Sequence, residues 1–395
     1  MNTLNHSNRD HALLSASGAH RWINCTPSAR LEEEYGKNSS SNYAAEGTLA
    51  HELAELYLRL DVLHNITNKE FNLQYDKIIN DELFNEEMLE MVPIYTDYCA
   101  DQYQQALTDS GSARLIAEQK LDLTRYVPES FGTADCVIVQ DDCIEIIDLK
   151  YGKGVKVDAE WNKQLMLYAL GALVEYEMDY DFSQVRMTIV QPRMNSISTF
   201  QLPLKELYAW ADNDLVPAAK KAYKGEGDLA AGEWCRFCGV KNRCRKLYEQ
   251  QMQIAKYEFA APTLLTDEEI ADILKKASAF TSWLKDIQSY ALAQAVNRGV
   301  KWPNLKLVAG RSLRKWEDQE VAFNTILARF PEIAEEDLYE LKPKTLTEVE
   351  TLIGKKRFAE NCSDLVIKPE GNPTLVDESD KRPEYGLSQA QKDFA

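Results

Sequence analysis

The densest concentration of groups able to do chemistry is FGTADCVIVQDDCIEIIDLKYGKG, residues 131–154. Two alternating apolar segments flank Asp141-Asp142, and with that pair as a turn the antiparallel partners are positions summing to 283. Asp135 then faces Asp148, with Cβ atoms roughly 4.5–5.5 Å apart. Side chains alternate along a strand, so Lys150 shares the face of Asp148. Two carboxylates that close do not both stay ionised without a compensating cation, and hard oxygen donors suit Mg²⁺ or Mn²⁺. An ion so held activates water and stabilises charge on a phosphoryl oxygen, with the lysine orienting or deprotonating that water. This is phosphodiester-hydrolysis chemistry. Taken alone, D-x-K is also the pattern of an ordinary surface ion pair.

A second set is made of sulfur. The chain has eight cysteines, and its start, MNTLNHSNRDHALL, lacks a secretory apolar core. That favours metal ligation or plain burial over disulfides. Cys235-x-x-Cys238-x₅-Cys244 supplies three thiolates, and Cys25, 210 residues before Cys235, can fill a fourth tetrahedral vertex. Four cysteines are also a structural zinc set. Cys99, Cys136, Cys143 and Cys362 read as core or incidental residues.

The elements that must position these groups follow from periodicity. Segments 115–121, 134–140, 143–149, 185–191 and 198–202 are short, rich in Val, Ile and Thr, and bounded by turn residues, which predicts strands. WNKQLMLYALGALVEY between the third and fourth predicts a helix. This β-β-α-β order implies an α/β fold with a mixed sheet flanked by helices. Ser15 or Ser17 can cap a helix through His20–Trp22, and residues 36–42 read as a loop. Glu46–Leu60 is amphipathic, residues 61–110 are acidic and helix-like, and Lys205–Tyr223 predicts another helix. From about residue 263 come a long amphipathic helix, a short strand pair near 301–316, further helices and a Pro-, Gly- and charge-rich tail from Ile367. The expected division is a helical portion 1–114, an α/β core with the cysteine cluster 115–255, and a mainly helical region 256–395.

Length and composition, 395 residues with 45% hydrophobic and 27% charged, fit two or three folded units. No run of about 18 apolar residues occurs, so a soluble, cytoplasmic protein without membrane contact is expected. The net charge of −18 argues against a polyanionic partner, but it is unevenly spread. Residues 61–118 hold 12 acids and 3 bases, a net of −9, half of the excess. Bases gather at Arg236, Lys241, Arg243, Arg245 and Lys246, and again at Lys301, Lys306, Arg311, Arg314 and Lys315. The first group, with Trp161, Trp234 and Phe237, could contact phosphates and stack bases of a single strand; these aromatics equally suit a core.

Gly132-x-x-Asp135, Glu145-Ile-Ile-Asp148-Leu149-Lys150 and Gln164-x-x-x-Tyr168, with Gly47-Thr-Leu-Ala-His51-Glu-Leu-Ala-Glu55 upstream, resemble the RecB-type branch of the PD-(D/E)XK nucleases, in family order. The resemblance implies that His51, Asp135, Asp148 and the backbone carbonyl of Leu149 ligate Mg²⁺ or Mn²⁺, and that Lys150 positions the attacking water. It makes Gln164 and Tyr168 the pair that steadies this lysine or the DNA backbone, and it likens Glu118 to a glutamate near the active site. The cysteine arrangement resembles the iron-sulfur staple of AddB-type helicase-nucleases and CRISPR-associated RecB-like exonucleases. This implies that Cys25, Cys235, Cys238 and Cys244 hold a four-iron, four-sulfur (4Fe-4S) cluster, with zinc the alternative. The likeness covers about residues 10–250; the full-length layout resembles phage and prophage proteins of recombination modules. The function implied is a metal-dependent DNA exonuclease acting on single-stranded or duplex ends, in the company of a phage single-strand-binding or annealing protein. The alternative is a zinc- or iron-sulfur-stapled DNA-binding protein or endonuclease without end-dependent cleavage.

Overall fold

A computed structural model of the chain describes residues 12–35, 42–252, 267–308, 318–329, 338–339, 345–362 and 365–366. Five strands, β1 (Ala113–Asp122), β2 (Phe131–Gln140), β3 (Cys143–Leu149), β4 (Gln184–Gln191) and β5 (Ser196–Pro203), form one sheet in chain order. Hairpins make the β1-β2, β2-β3 and β4-β5 pairs antiparallel. The β3-β4 pair is parallel, which requires a crossover between them. Cys136 pairs with Ile147 and Gln140 with Cys143, the register that an Asp141-Asp142 turn dictates. β3 is buried at every position and lies mid-sheet, hence its nearly continuous apolar run.

The chain supplies α1 (Ala19–Asn24), α2 (Ser28–Tyr35), α3 (Asn42–Tyr57), α4 (Asn68–Ile79) and α5 (Glu87–Ser110) before the sheet. The crossover is α6 (Lys163–Tyr176), and α7 (Leu204–Trp210), α8 (Val216–Lys224) and α9 (Arg245–Gln251) follow β5. One face of the sheet carries a core of Val137, Val139, Ile144 and Ile146 packed with α6, α1 and α8. The opposite face packs Ile138, Ile147 and Leu149 against Leu53 and Ala54 of α3 and Val92 and Tyr95 of α5. The N-terminal helices are therefore the covers of the sheet. The helices before residue 114 and the sheet after it share these two cores.

The chain divides into Met1–Leu265 with Phe280–Ile287, and Thr266–Ala279 with Gln288–Ala395. The second unit contains most of α10 (Asp267–Arg298), then α11 (Gln319–Arg329), α12 (Leu346–Ile353) and α13 (Lys355–Cys362). The expected strand pair near 301–316 is not present in residues 301–308, where Trp302 instead folds back to donate its indole N–H to Ala291 O at 3.0 Å. Residues 309–317, the 36–41 loop and the tail from Ile367 lie outside the described residues.

One irregularity in β1 and β2 matters most. Leu115 and Ala117 face the α3-α5 core, but Leu121, three residues beyond Glu118 and of the same parity as Ala117, joins the α6 core. In β2, Val137 and Ala134 lie on the α6 side although their parities differ. Alternation thus reverses in both strands at the Glu118–Asp135 position, which the β1-β2 pairing skips. Glu118 accommodates this with a left-handed backbone, φ 49°. The two acids sit where the sheet changes faces.

Gly132 opens β2 beneath α6. A Cβ there would stand 2.7 Å from Tyr168 Cε1, and that ring is buried. Gly47 in α3 has nothing within 4 Å. Gly132→Ala should therefore destabilise the protein by about 1–3 kcal/mol through overpacking. Gly47→Ala should stabilise it by about 0.5–1 kcal/mol through the helix-interior gain. Urea denaturation of both variants checks the opposite signs.

Candidate functional site

Asp135 lies midway along β2 and Asp148 near the end of β3, and one hydrogen-bonded set surrounds them. Asp135 Oδ2 accepts a hydrogen bond from Leu149 N at 2.7 Å, and Oδ1 lies 3.2 Å from His51 Nδ1. Asp148 Oδ1 accepts from Gln164 Nε2 at 3.0 Å. Its Oδ2 contacts Lys150 Nζ at 2.7 Å as an ion pair but takes no aligned hydrogen bond, so a buried oxygen keeps lone-pair capacity. Lys150 Nζ also donates to Gln164 Oε1 at 3.0 Å, and Gln164 Nε2 reaches Tyr168 Oη at 3.2 Å. The Gln164 amide is fixed from both ends: turned over, it would set its oxygen against a carboxylate and its NH₂ against an ammonium. Asn162 caps α6 by accepting from Gln164 N and Leu165 N, which anchors the helix start that carries this amide.

The face reversal explains how the set assembles. His51 comes from α3 and Gln164 from α6, helices on opposite faces. Only at a position where strand side chains pass from one face to the other do both reach one pair of acids. Glu118, opposite Asp135 in register, joins them: ligand atoms of His51, Glu118 and Asp135 lie within 4.8 Å of one another. Hard oxygens plus one imidazole suit Mg²⁺ or Mn²⁺; Asp148, with Oδ2 2.7 Å from Lys150 Nζ, stands outside that trio. Leu149 lies at the end of β3 with its N–H held by Asp135.

Electrostatics in this metal-free arrangement show the crowding of negative charge. Burial alone would push the His51 pKa down, but Asp135, by charge and hydrogen bond, and Asp148 raise it to about 9. Burial, reinforced by Asp135, lifts Glu118 to about 7. Burial raises Asp148 despite Lys150, whereas for Asp135 burial is outweighed by His51, Lys150 and the Leu149 N–H, and its pKa falls. Burial disfavours the Lys150 ammonium, yet Asp148 and Asp135 hold its pKa above the usual lysine value.

A clamp fixes the loop after Lys150. Arg193 pairs with Glu46 of α3 at 3.0 Å and Glu87 of α5 at 2.9 Å, and its guanidinium lies 4.6 Å over the Tyr151 ring. Lys153 closes on Glu87 at 2.7 Å. Nothing in the spacing of Arg193 signals this role.

The four expected cysteines approach one another across the chain. Cys25 ends α1, and charge coupling links it to Cys244 and Cys235, while Cys238 is coupled to Cys235. Backbone N–H groups point at each sulfur: Gly232 to Cys235 at 3.4 Å, Leu247 to Cys244 at 3.5 Å, Val240 to Cys238, and Ala230 and Ser28 to Cys25. Burial raises the Cys25 and Cys235 thiols and takes Cys238 to about 11. Two residues absent from the sequence reading support the set. Glu32, buried in α2, accepts from Gly239 N at 2.6 Å and pairs with Arg21 at 2.6 Å. Arg21 lowers the pKa of Cys25 and Cys238 through its charge, and its buried Nε has no partner. A cationic donor beside N–H-solvated sulfurs suits a cluster of ligated thiolates.

The aromatic expectation divides. Trp234 is spent on structure, its indole donating to Ala230 O at 2.9 Å and its ring edge-on to His20. Phe237 stays 72% exposed beneath Arg236, and Trp161 42% exposed. Lys241 pairs with Asp286 at 2.7 Å, and Arg243 and Arg245 lie over Tyr35 and Tyr248. Among the described residues, no helix is long and apolar enough to cross a membrane.

The model of the family described as "Protein of unknown function (DUF2800)" matches residues 11–383. The chain belongs to the DUF2800 family. Among solved structures, the DUF2800 chain is similar to one described as "Crystal structure of SSO0001", at 13% identity over 61% of this chain and 90% of that one. The TM-score of 0.27 is too low to establish a common fold.

His51 and Glu118 both hold protons more tightly folded, at about 9 and about 7, than at their ordinary values of 6.5 and 4.5. The contribution of Glu118 to stability is thus full below pH 4.5 and is lost as pH rises through 7, and that of His51 is full below pH 6.5 and is lost as pH rises through 9. The metal-free DUF2800 protein should lose thermal stability across that window, and Mn²⁺ should restore more of it at pH 9 than at pH 6, because bound metal replaces the protons. Glu118→Gly should flatten the pH 4.5–7 part and relieve roughly 1–2 kcal/mol of left-handed strain, while weakening Mn²⁺ binding. Melting curves with and without Mn²⁺ measure both effects.

Proposed function

We propose that this protein is a metal-dependent DNA exonuclease of the PD-(D/E)XK type. The observation that carries the reading is the convergence of Asp135, Asp148, Lys150 and Gln164 with His51 and Glu118, brought from both faces of the sheet into one half-buried site. His51, Asp135 and Asp148, with the Leu149 carbonyl and Glu118, would hold Mg²⁺ or Mn²⁺. When bound, such an ion supplies charge stabilisation at the phosphoryl group and a lowered pKa for water.

The chain's own residues do the rest. Asp148 and Asp135 keep Lys150 an ammonium. Lys150 therefore serves as a charged donor that orients water and meets a phosphate oxygen. Gln164 holds Nζ and Asp148 in one geometry, and Tyr168 holds Gln164. A loose Nζ would sample several rotamers, and misplacement of about 1 Å is enough to slow such a reaction about 10²-fold. Dependence on DNA ends, and work beside a single-strand-binding or annealing protein, rest on the family resemblance.

For the cysteines we favour a 4Fe-4S cluster over zinc. That preference follows the family resemblance of the cysteine spacing, with the Arg21 charge and the backbone N–H groups around the sulfurs in its support. Such ligation would close a loop of some two hundred residues and couple assembly to folding. Protein purified without oxygen should carry about four iron and four sulfide per chain, lost together in Cys244→Ser. Stoichiometric zinc without sulfide would overturn this part.

The decisive assay is a Mn²⁺ titration on end-labelled linear DNA and on a closed circle. Wild type should shorten the linear strand only with metal and spare the circle. Lys150→Ala should lower the rate at least about 10²-fold, measured at a temperature where circular dichroism shows the variant folded. Equal products from wild type and Lys150→Ala would defeat the nuclease reading; cleavage of the circle would defeat end-dependence.

A further inference from the structure

Trp161 stands one residue before the Asn162 cap of α6 and three before Gln164. Its backbone is left-handed, φ 51°. A bulky residue there is uncommon and strained; folding alone would favour Asn or Gly. Burial does not compensate, since the residue remains 42% exposed.

Its setting is nevertheless rigid. The ring packs against Phe200 with centroids 5.7 Å apart, and Lys163 Nζ, held between Trp161 at 5.8 Å and Trp210 at 5.1 Å, supports it. The preceding segment is pinned along its length. Buried Gln191 accepts from Val157 N at 2.8 Å and donates to Val155 O at 3.0 Å. Ala159 N donates to Ser198 Oγ at 3.0 Å, and Asn162 N to Ala159 O at 3.2 Å. A strained, pre-set and solvent-facing indole beside the helix start that carries Gln164 matches the use to which proteins put stored backbone strain.

We infer that Trp161 is a nucleobase-stacking residue that selects unpaired strands: a base of the strand entering the site lies on the indole, with the Lys163 ammonium at hand for the adjoining phosphate. The inference rests on the nuclease reading and adds to it a preference for single strands. Stacked bases in a duplex present no free face, whereas every unpaired base does, so the contact is indifferent to sequence and sensitive to pairing.

The test measures fluorescence anisotropy of a labelled oligothymidylate of about 16 nucleotides, the same strand with abasic positions, and a blunt duplex, all in Ca²⁺ to limit cutting. The proteins are wild type, Trp161→Phe and Trp161→Asn, the last chosen because asparagine tolerates the left-handed backbone. Trp161→Asn should bind oligothymidylate about 5- to 150-fold more weakly, the effect of one lost stacking contact. Its affinity for the abasic strand and the duplex should be unchanged, and Trp161→Phe should stay within a few-fold of wild type. Equal loss on the abasic strand would make Trp161 a structural residue and overturn the inference, as would unaltered affinity of Trp161→Asn for oligothymidylate. Either result leaves the nuclease reading standing if wild type still cuts with Mn²⁺. Wild type that neither binds nor cuts would remove both.

Discussion

Two aspartates forced together at one end of a sheet govern the rest of this structure. Asp135 and Asp148 are fixed by a hairpin register that cannot slip by one residue without moving every side chain of β3 to the opposite face of the sheet. Their mutual repulsion has to be met by cations and donors, and each neighbour answers that need. Lys150 and the Gln164 amide meet Asp148, while His51 and the Leu149 N–H meet Asp135. The helices that supply these groups are the same ones that cover the sheet. Stability and site geometry therefore share residues, and the acids set the terms for both.

The reversal of strand alternation at Glu118 and Asp135 makes this possible. A regular β1-β2 pair would present each acid to one layer of helices only. The break costs left-handed backbone at Glu118 and a skipped pair, and it opens the acids to α3 and α6 together. Natural sheets use local irregularity to re-aim side chains beside sites of chemistry, and this sheet does so without inserting a residue: partners on either side of the break keep one constant register.

Much of this was legible in the sequence because it is written in short periods. The Asp141-Asp142 turn set the β2-β3 register up to Cys136 and Ile147, next to the two acids, the continuous apolar run of β3 marked a central strand, and the i, i+4 spacing of Gln164 and Tyr168 put both on one face of α6. What stayed hidden depends on distant partners. Nothing around Glu118 reports an inverted backbone, because LIAEQKLDL alternates well enough to pass as an ordinary strand. Glu32 lies 207 residues from the Gly239 N–H it accepts, and Arg193 lies 147 from Glu46. Composition changes near residue 114, yet the cores run straight through it, another feature that depends on distant partners.

The ties between the chain's beginning and the cysteine loop bear on its birth at the ribosome. Thr26 donates to Glu226 O, Arg30 to Tyr223 O, and Glu32 accepts from Gly239 N. At about 5–20 residues per second, the first helices wait on the order of 10–40 s in the cell before the segment they dock against has even been made. Throughout that interval Trp22 and Leu14, sealed in the finished protein, lack their final covering. The fold of the first helices is therefore completed only after translation has passed the cysteine loop.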